Sequence, residues 1–151
     1  MSTLVEKRFL PLQEISIEAK KKLIARIKEY LEQKGNTVFA YAHGSFIKSE
    51  KFRDIDLAIF TDKKVNLFFE SDLSAELKLI TDFEVEVKAI NDAPVPFKMA
   101  VLRDGLLLFS KDEKIRTDFI ESSGRNYMEY SHFRNIFLGC DGVRQRQNHK
   151  R

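Results

Sequence analysis

The sequence predicts a small domain of mixed α/β (α+β) class, with helices packed on a mixed sheet of about four strands. Three observations point there. Two apolar runs rich in β-branched and aromatic residues, TVFAYAH and DIDLAIFT, read as buried strands. A third stretch, FEVEVKAI, alternates strictly between apolar and charged residues. Between and around these lie segments with the 3.6-residue rhythm of amphipathic helices. At 151 residues the chain has the size of one domain, and 43% apolar with 32% charged residues is a globular composition that excludes a disordered chain.

The first long helix is expected over residues 16–34. Ser16 can cap it and Glu18 suits its positive first turn. Leu23, Ile24, Ile27, Tyr30 and Leu31 form one apolar stripe, opposite a solvated face of Lys20, Lys21, Lys22, Arg26 and Lys28. Gly35-Asn36 ends it. Residues 37–43 form a strand that stops at Gly44, and 45–53 a short connection with room for one helical turn. Residues 54–61 alternate and then become wholly apolar, as a central strand does. A helix is predicted over 65–80, with Leu67, Phe68, Leu73, Leu77 and Ile80 available to the core. In the strand 83–90, Phe83, Val85 and Val87 take one face and Glu84, Glu86 and Lys88 the other. Residues 91–94 are a turn, 95–103 a short helix, 104–105 a turn and 106–110 a short strand. The stretch 111–138 reads as a final helix or a bent pair, broken near Ser122, Ser123 and Gly124. With no internal repeat and no low-complexity linker, residues 1–151 are expected to form a single domain.

Charge and cysteine content narrow the function classes. The formal net charge is +3, but residues 142–151 alone hold four Lys/Arg and no Asp/Glu, so the remainder carries −1. The basic balance belongs to a tail and not to a nucleic-acid face, and nucleic acid is not expected as a direct substrate. The aromatic cluster Tyr127, Tyr130, Phe133 and Phe137 is expected to be a helix packing face, with a partner surface as the other reading. The opening MSTLVEKRFL lacks the apolar core of a secretory signal, and no run approaches the ~20 apolar residues that span a bilayer. The single cysteine, Cys140, excludes an internal disulfide framework and fits a reducing compartment, so a cytoplasmic location is expected. Three histidines and one cysteine do not supply a structural zinc site.

The chemistry concentrates in residues 41–60, YAHGSFIKSEKFRDIDLAIF. Asp54 and Asp56 flank Ile55 on a predicted strand, and period two puts both carboxylates on one face. Such neighbours repel, and a divalent cation removes the penalty; hard oxygen ligands with open positions suit Mg2+ shared with phosphate. A D-x-D alone is commonly an exposed turn. Here Gly44 and Ser45 precede it at the end of an apolar strand, where glycine permits close backbone approach and Ser45 offers an N–H and a hydroxyl to phosphate. A further carboxylate for a two-metal site can come from Glu84 or Glu86 on the next strand. Lys48, Lys51 and Arg53 place cations in the connection, able to neutralise a triphosphate or simply solvate a loop. His43 is expected to be packed at the strand end.

The order strand, Gly44-Ser45-Phe46, Phe52-Arg53-Asp54-Ile55-Asp56-Leu57-Ala58-Ile59, helix, acidic strand resembles the nucleotidyltransferase superfamily that includes DNA polymerase beta. More narrowly it is similar to the minimal nucleotidyltransferase (MNT) group. Asn91-Asp92-Ala93-Pro94 with Phe97, and residues 105–109, resemble the segment that ends that domain, so the resemblance spans about 37–110. It implies a polymerase beta-like nucleotidyltransferase fold. It implies Mg2+ as cofactor, two ions in all, held by Asp54, Asp56 and Glu86, the last found by counting back from Asn91. It implies ATP as substrate, gripped by Gly44 and Ser45 with Lys48 and Arg53 nearby. The pattern departs from the family at three points: the third carboxylate is Glu, the connection before D-x-D is short, and a second glycine is replaced by Ser49. Arg125 and His132 do not fit the aromatic context of the HEPN ribonuclease signature.

The resemblance implies a nucleotidyltransferase that moves AMP from ATP to a hydroxyl. Small stand-alone MNT proteins are often antitoxins paired with a HEPN-family toxin, and some adenylylate it, so a HEPN toxin is the expected partner. Two alternatives stand beside this reading: a catalytically weak nucleotide- or toxin-binding module, and a small-molecule nucleotidyltransferase of the antibiotic-modifying kind.

Overall fold

The computed structural model describes residues 9–138; the basic tail 142–151, Cys140 and His149 lie outside them. The elements run β1 (Gln13–Glu14), α1 (Ile17–Glu32), β2 (Thr37–His43), α2 (Ser45–Lys48), β3 (Lys51–Phe52), β4 (Ile55–Thr61), α3 (Phe69–Thr81), β5 (Val85–Ala89), α4 (Val95–Asp104), β6 (Leu106–Ser110) and α5 (Glu113–Phe137). Four strands form one mixed sheet in the order β5-β4-β2-β6. β4 and β5 are parallel, joined across α3, and the other pairs are antiparallel.

Helices cover both faces of the sheet. On one, Leu23, Ile27 and Leu31 of α1 and Leu73 and Leu77 of α3 pack on Ala40, Ala42, Leu57, Ile59, Val85 and Val87. On the other, Val101 of α4 and Phe119 of α5 close over Phe39, Tyr41, Ala58 and Ile90. Phe39 anchors that second layer, stacked on Phe60 at 4.9 Å between centroids and tilted against Phe119 at 5.6 Å. Ser16 caps α1 as the sequence predicts, its side chain accepting from the Ala19 N–H at 3.1 Å. No helix among the described residues is long and apolar enough to cross a membrane.

Four expectations need correction. α3 begins at Phe69 and not at 65, because the Asn66 carboxamide oxygen accepts the Phe68 N–H at 2.9 Å and holds a turn there. The C-terminal segment is one unbroken 25-residue helix, not a bent pair. The Ser122 hydroxyl donates back to the Phe119 carbonyl inside the helix, Ser123 is buried, and Gly124 is tolerated mid-helix at ~1 kcal/mol relative to alanine. The connection 45–53 is more ordered than a loop: after α2 it forms β3, which pairs antiparallel with β1. The aromatic residues Tyr127, Tyr130, Phe133 and Phe137 of α5 are exposed and make ring contacts with each other, at 6.3 and 4.4 Å, and do not enter either core layer.

Candidate active site

Sheet register assembles the site. In the parallel pair β4–β5, Asp56 lies opposite Glu86; in the antiparallel pair β2–β4, it lies opposite His43. The three residues sit side by side at one end of the sheet, on the face that α4 and α5 cover further along. Asp54 comes one residue before β4 begins, so it lies outside the strand predicted over 54–61, and it is buried at 6% exposure. Period two nevertheless keeps it on the side of Asp56. Asp54, Asp56 and Glu86 each bring a carboxylate oxygen to within 4.8 Å of the others.

Glu84, the other candidate on that strand, points its carboxylate to the Lys78 ammonium of α3, and its backbone carbonyl accepts the Ile55 N–H at 2.8 Å. It takes no part in the acidic cluster. Lys88, two residues past Glu86, places its ammonium 3.9 Å from the Glu86 carboxylate. The two-residue period places Lys88 on the face of Glu86, as the sequence predicts, but nothing in the sequence marked it as a neighbour of the site.

Gly44 makes the turn out of β2 at φ 78°, ψ −162°, a conformation that side-chain-bearing residues rarely adopt. Space demands glycine as well: a Cβ here would lie 2.5 Å from Asp56 Oδ2. The bend is therefore in contact with the acidic cluster. Ser45 follows, exposed, as the first residue of α2. Phe46 roots this short helix in the core, edge-to-face with Phe52 at 4.9 Å.

Two of the loop cations, Lys48 and Arg53, have protein partners. Lys48 reaches Asp104 Oδ2 at 3.5 Å, where Asp104 also meets the Arg103 guanidinium at 3.1 Å. The Arg103 hydrogen bond, with Lys48 adding to it, holds the Asp104 carboxyl below its ordinary value. Arg53 donates from Nη1 to the Leu10 carbonyl at 3.1 Å. The His43 ring packs edge-on against Phe97 of α4 at 5.4 Å.

The donor set is all carboxylate oxygen, with one member buried, and a backbone bend stands against it. That chemistry fits a hard divalent cation shared with a polyphosphate and does not fit a soft or nitrogen-preferring metal.

Over residues 25–114, more than half of its length, the chain matches the family described as polymerase beta, nucleotidyltransferase. No curated protein sequence matches it. Among solved structures it is similar to a chain of the tri-AMPylated Shewanella oneidensis HEPN toxin in complex with MNT antitoxin. That match has 17% identity and a TM-score of 0.67, and covers 82% of this chain and 98% of the other. It is also similar to a chain of the toxin-antitoxin MntA-HepT, at 17% identity and a TM-score of 0.63, covering 85% and 98%. A third is a toxin-antitoxin with AMP-PNP, at 18% identity and a TM-score of 0.64, covering 85% and 98%. At these identities the likeness is one of fold.

Proposed function

Since the chain belongs to the polymerase beta nucleotidyltransferase family, we propose that it is a Mg2+-dependent enzyme moving AMP from ATP to a hydroxyl. The hydroxyl, in this reading, belongs to a HEPN-family toxin for which the chain is the MNT antitoxin in the cytoplasm. The observation that carries the reading is the convergence of Asp54, Asp56 and Glu86 beside the Gly44 bend. The acceptor and nucleotide are drawn from two similar structures, one containing an AMPylated HEPN toxin beside an MNT antitoxin and the other AMP-PNP.

In the reaction the acceptor oxygen attacks the α-phosphorus of ATP. The bond from that phosphorus to the bridging oxygen breaks, pyrophosphate leaves, and the hydroxyl proton passes to solvent. Asp54, Asp56 and Glu86 would hold the cations, two in all. When bound, the metal neutralises polyphosphate charge and lowers the pKa of the attacking hydroxyl. The chain's own groups do the positioning. Gly44 carries no side chain, so the backbone can approach the phosphates; the Ser45 N–H and hydroxyl donate to phosphate oxygens. Lys48, exposed on α2, adds positive charge at the same end.

The test pairs binding with transfer. At a hundred times Kd, Mg-ATP should stabilise the parent by about 2.7 kcal/mol, a rise of roughly 5–10 °C in melting temperature. Asp56→Ala should keep the fold and lose that rise. Labelled ATP should mark a hydroxyl acceptor with the parent, and with Glu84→Gln, whose side chain serves Lys78; Glu86→Gln should abolish the label. An Asp56→Ala chain that gains the parental rise refutes the site. A parent that protects against a toxin with no covalent label is the weak, masking module instead.

A further inference from the structure

Arg53 stands one residue before Asp54, where a cation would be expected to face phosphate, yet its guanidinium hydrogen-bonds the Leu10 carbonyl 43 residues back along the chain. The same N-terminal segment meets the 45–53 connection twice more. β1 pairs with β3, Gln13 opposite Phe52 and Glu14 opposite Lys51. The Lys20 ammonium on α1 donates to the Ser49 carbonyl at 3.0 Å and lies over the rings of Phe46 and Phe52, at 5.2 and 5.7 Å. The connection so held carries the Gly44-Ser45 bend at one end and Asp54 at the other. Downstream, the sheet takes over only at Ile55, through its N–H to the Glu84 carbonyl. A two-residue ribbon is marginal by itself, so a charge-assisted bond anchoring it carries weight.

We propose that residues 10–20 clamp the 45–53 connection, and that Arg53 is a positioning residue which keeps Asp54 aligned with Asp56 and Glu86 and does not itself touch the triphosphate. The functional consequence rests on the nucleotidyltransferase reading; the clamp does not.

The experiment uses the full chain, Arg53→Ala, Arg53→Lys, a deletion of residues 2–11 that removes the Leu10 carbonyl, and the combined deletion with Arg53→Ala. Amide hydrogen exchange over 45–56 should speed up by about tenfold or more in Arg53→Ala and in the deletion. The combined variant should be no faster than the worse single, and Arg53→Lys should recover part of the protection. In transfer assays Arg53→Ala should lower kcat and raise the Mg2+ concentration for half-activity, with KM for ATP within about twofold of the parent. Unchanged exchange in Arg53→Ala overturns the clamp. A tenfold rise in KM at retained kcat, with the deletion silent, overturns the positioning role in favour of a phosphate contact. If the parent transfers no nucleotide, the function reading fails, and the exchange results alone support or overturn the clamp. If Arg53→Ala does not fold, Arg53→Lys and the deletion decide by the same readout.

Discussion

Replacing Gly44 with alanine tests whether the bend and the acidic cluster are one unit. Two separate costs arise. At φ 78°, ψ −162° the backbone lies in a region reserved almost wholly for glycine, and holding alanine there costs about 1–3 kcal/mol. The new methyl would also sit 2.5 Å from Asp56 Oδ2, well inside contact distance. Either the carboxylate swings away from Asp54 and Glu86 or the turn shifts. For a domain of this size each kcal/mol lowers the melting temperature by about 2–4 °C, so calorimetry should show a fall of roughly 2–12 °C. Divalent-ion binding should suffer more than stability, because the displaced atom belongs to a cluster carboxylate: the Mg-ATP-dependent rise should vanish even at temperatures where the variant is fully folded. Gly35→Ala is the control, since nothing lies within 4 Å of a Cβ there. If Gly44→Ala melts within a degree of the parent and keeps the Mg-ATP rise, the close approach of bend and carboxylate is not what positions the site.

Two further outcomes follow from the helices. Gly124 lies inside α5 with no atom within 4 Å of the place an added methyl would take, so Gly124→Ala should raise stability by about 0.5–1 kcal/mol, and a lower melting temperature would show hidden packing against that face. The Asp104 and Glu113 carboxyls are held below their ordinary values of 3.8 and 4.5, first by hydrogen bonds from Arg103 and Arg116 respectively. A carboxyl depressed in the folded state stabilises above its ordinary value and loses that contribution as pH falls through the folded one. The parental melting temperature should therefore drop on acidification below pH 4.5, and Asp104→Asn with Glu113→Gln should flatten that drop; an unchanged slope refutes the assignment.

What was legible in the sequence were the features that local rules govern. The α1 stripe and its Ser16 cap, the apolar strands and the alternating β5 follow from periodicity, and the structure contains them. The pairing of D-x-D with Gly-Ser was visible as a pattern because both parts lie within thirteen residues, 44–56. What stayed hidden was set by contacts between distant segments. Nothing local marks Gln13–Glu14 as a strand, since two residues carry no period; it exists because Lys51–Phe52 lies beside it. Arg53 read as a loop cation because its partner is a backbone carbonyl, which leaves no trace in residue type. Ser122-Ser123-Gly124 read as a break because serine and glycine are poor helix formers, while Phe119 and Ser123 bury that part of α5 and carry the helix through. Glu84 and Glu86 were indistinguishable by period; Lys78, six residues upstream of Glu84 on α3, separates them.

The acidic cluster depends on register more than on any one residue. β5 is an edge strand, and a slip of one residue against β4 would turn Glu86 to the α1–α3 side and bring Val85 or Val87 to the cluster. Hydrophobic alternation resists this, since Val85 and Val87 are nearly fully buried on the other face. Polar pins add to it. From α3, the Ser74 hydroxyl accepts the Val87 N–H at 3.1 Å and the Glu70 carboxylate accepts the Ala89 N–H at 2.7 Å. Past the strand, the Asn91 carboxamide brackets Thr61, accepting from its N–H at 3.0 Å and donating to its carbonyl at 2.8 Å. The Ser74 and Glu70 bonds occupy N–H groups that the edge strand β5 would otherwise offer to another chain, and each of the three pins is satisfied in only one register. Asn91 thus does for β5 what Arg53 does for the start of β4. The carboxylates that would crowd around a cation are held there by bonds made outside the cluster, so their mutual repulsion is opposed by the scaffold before any ligand arrives.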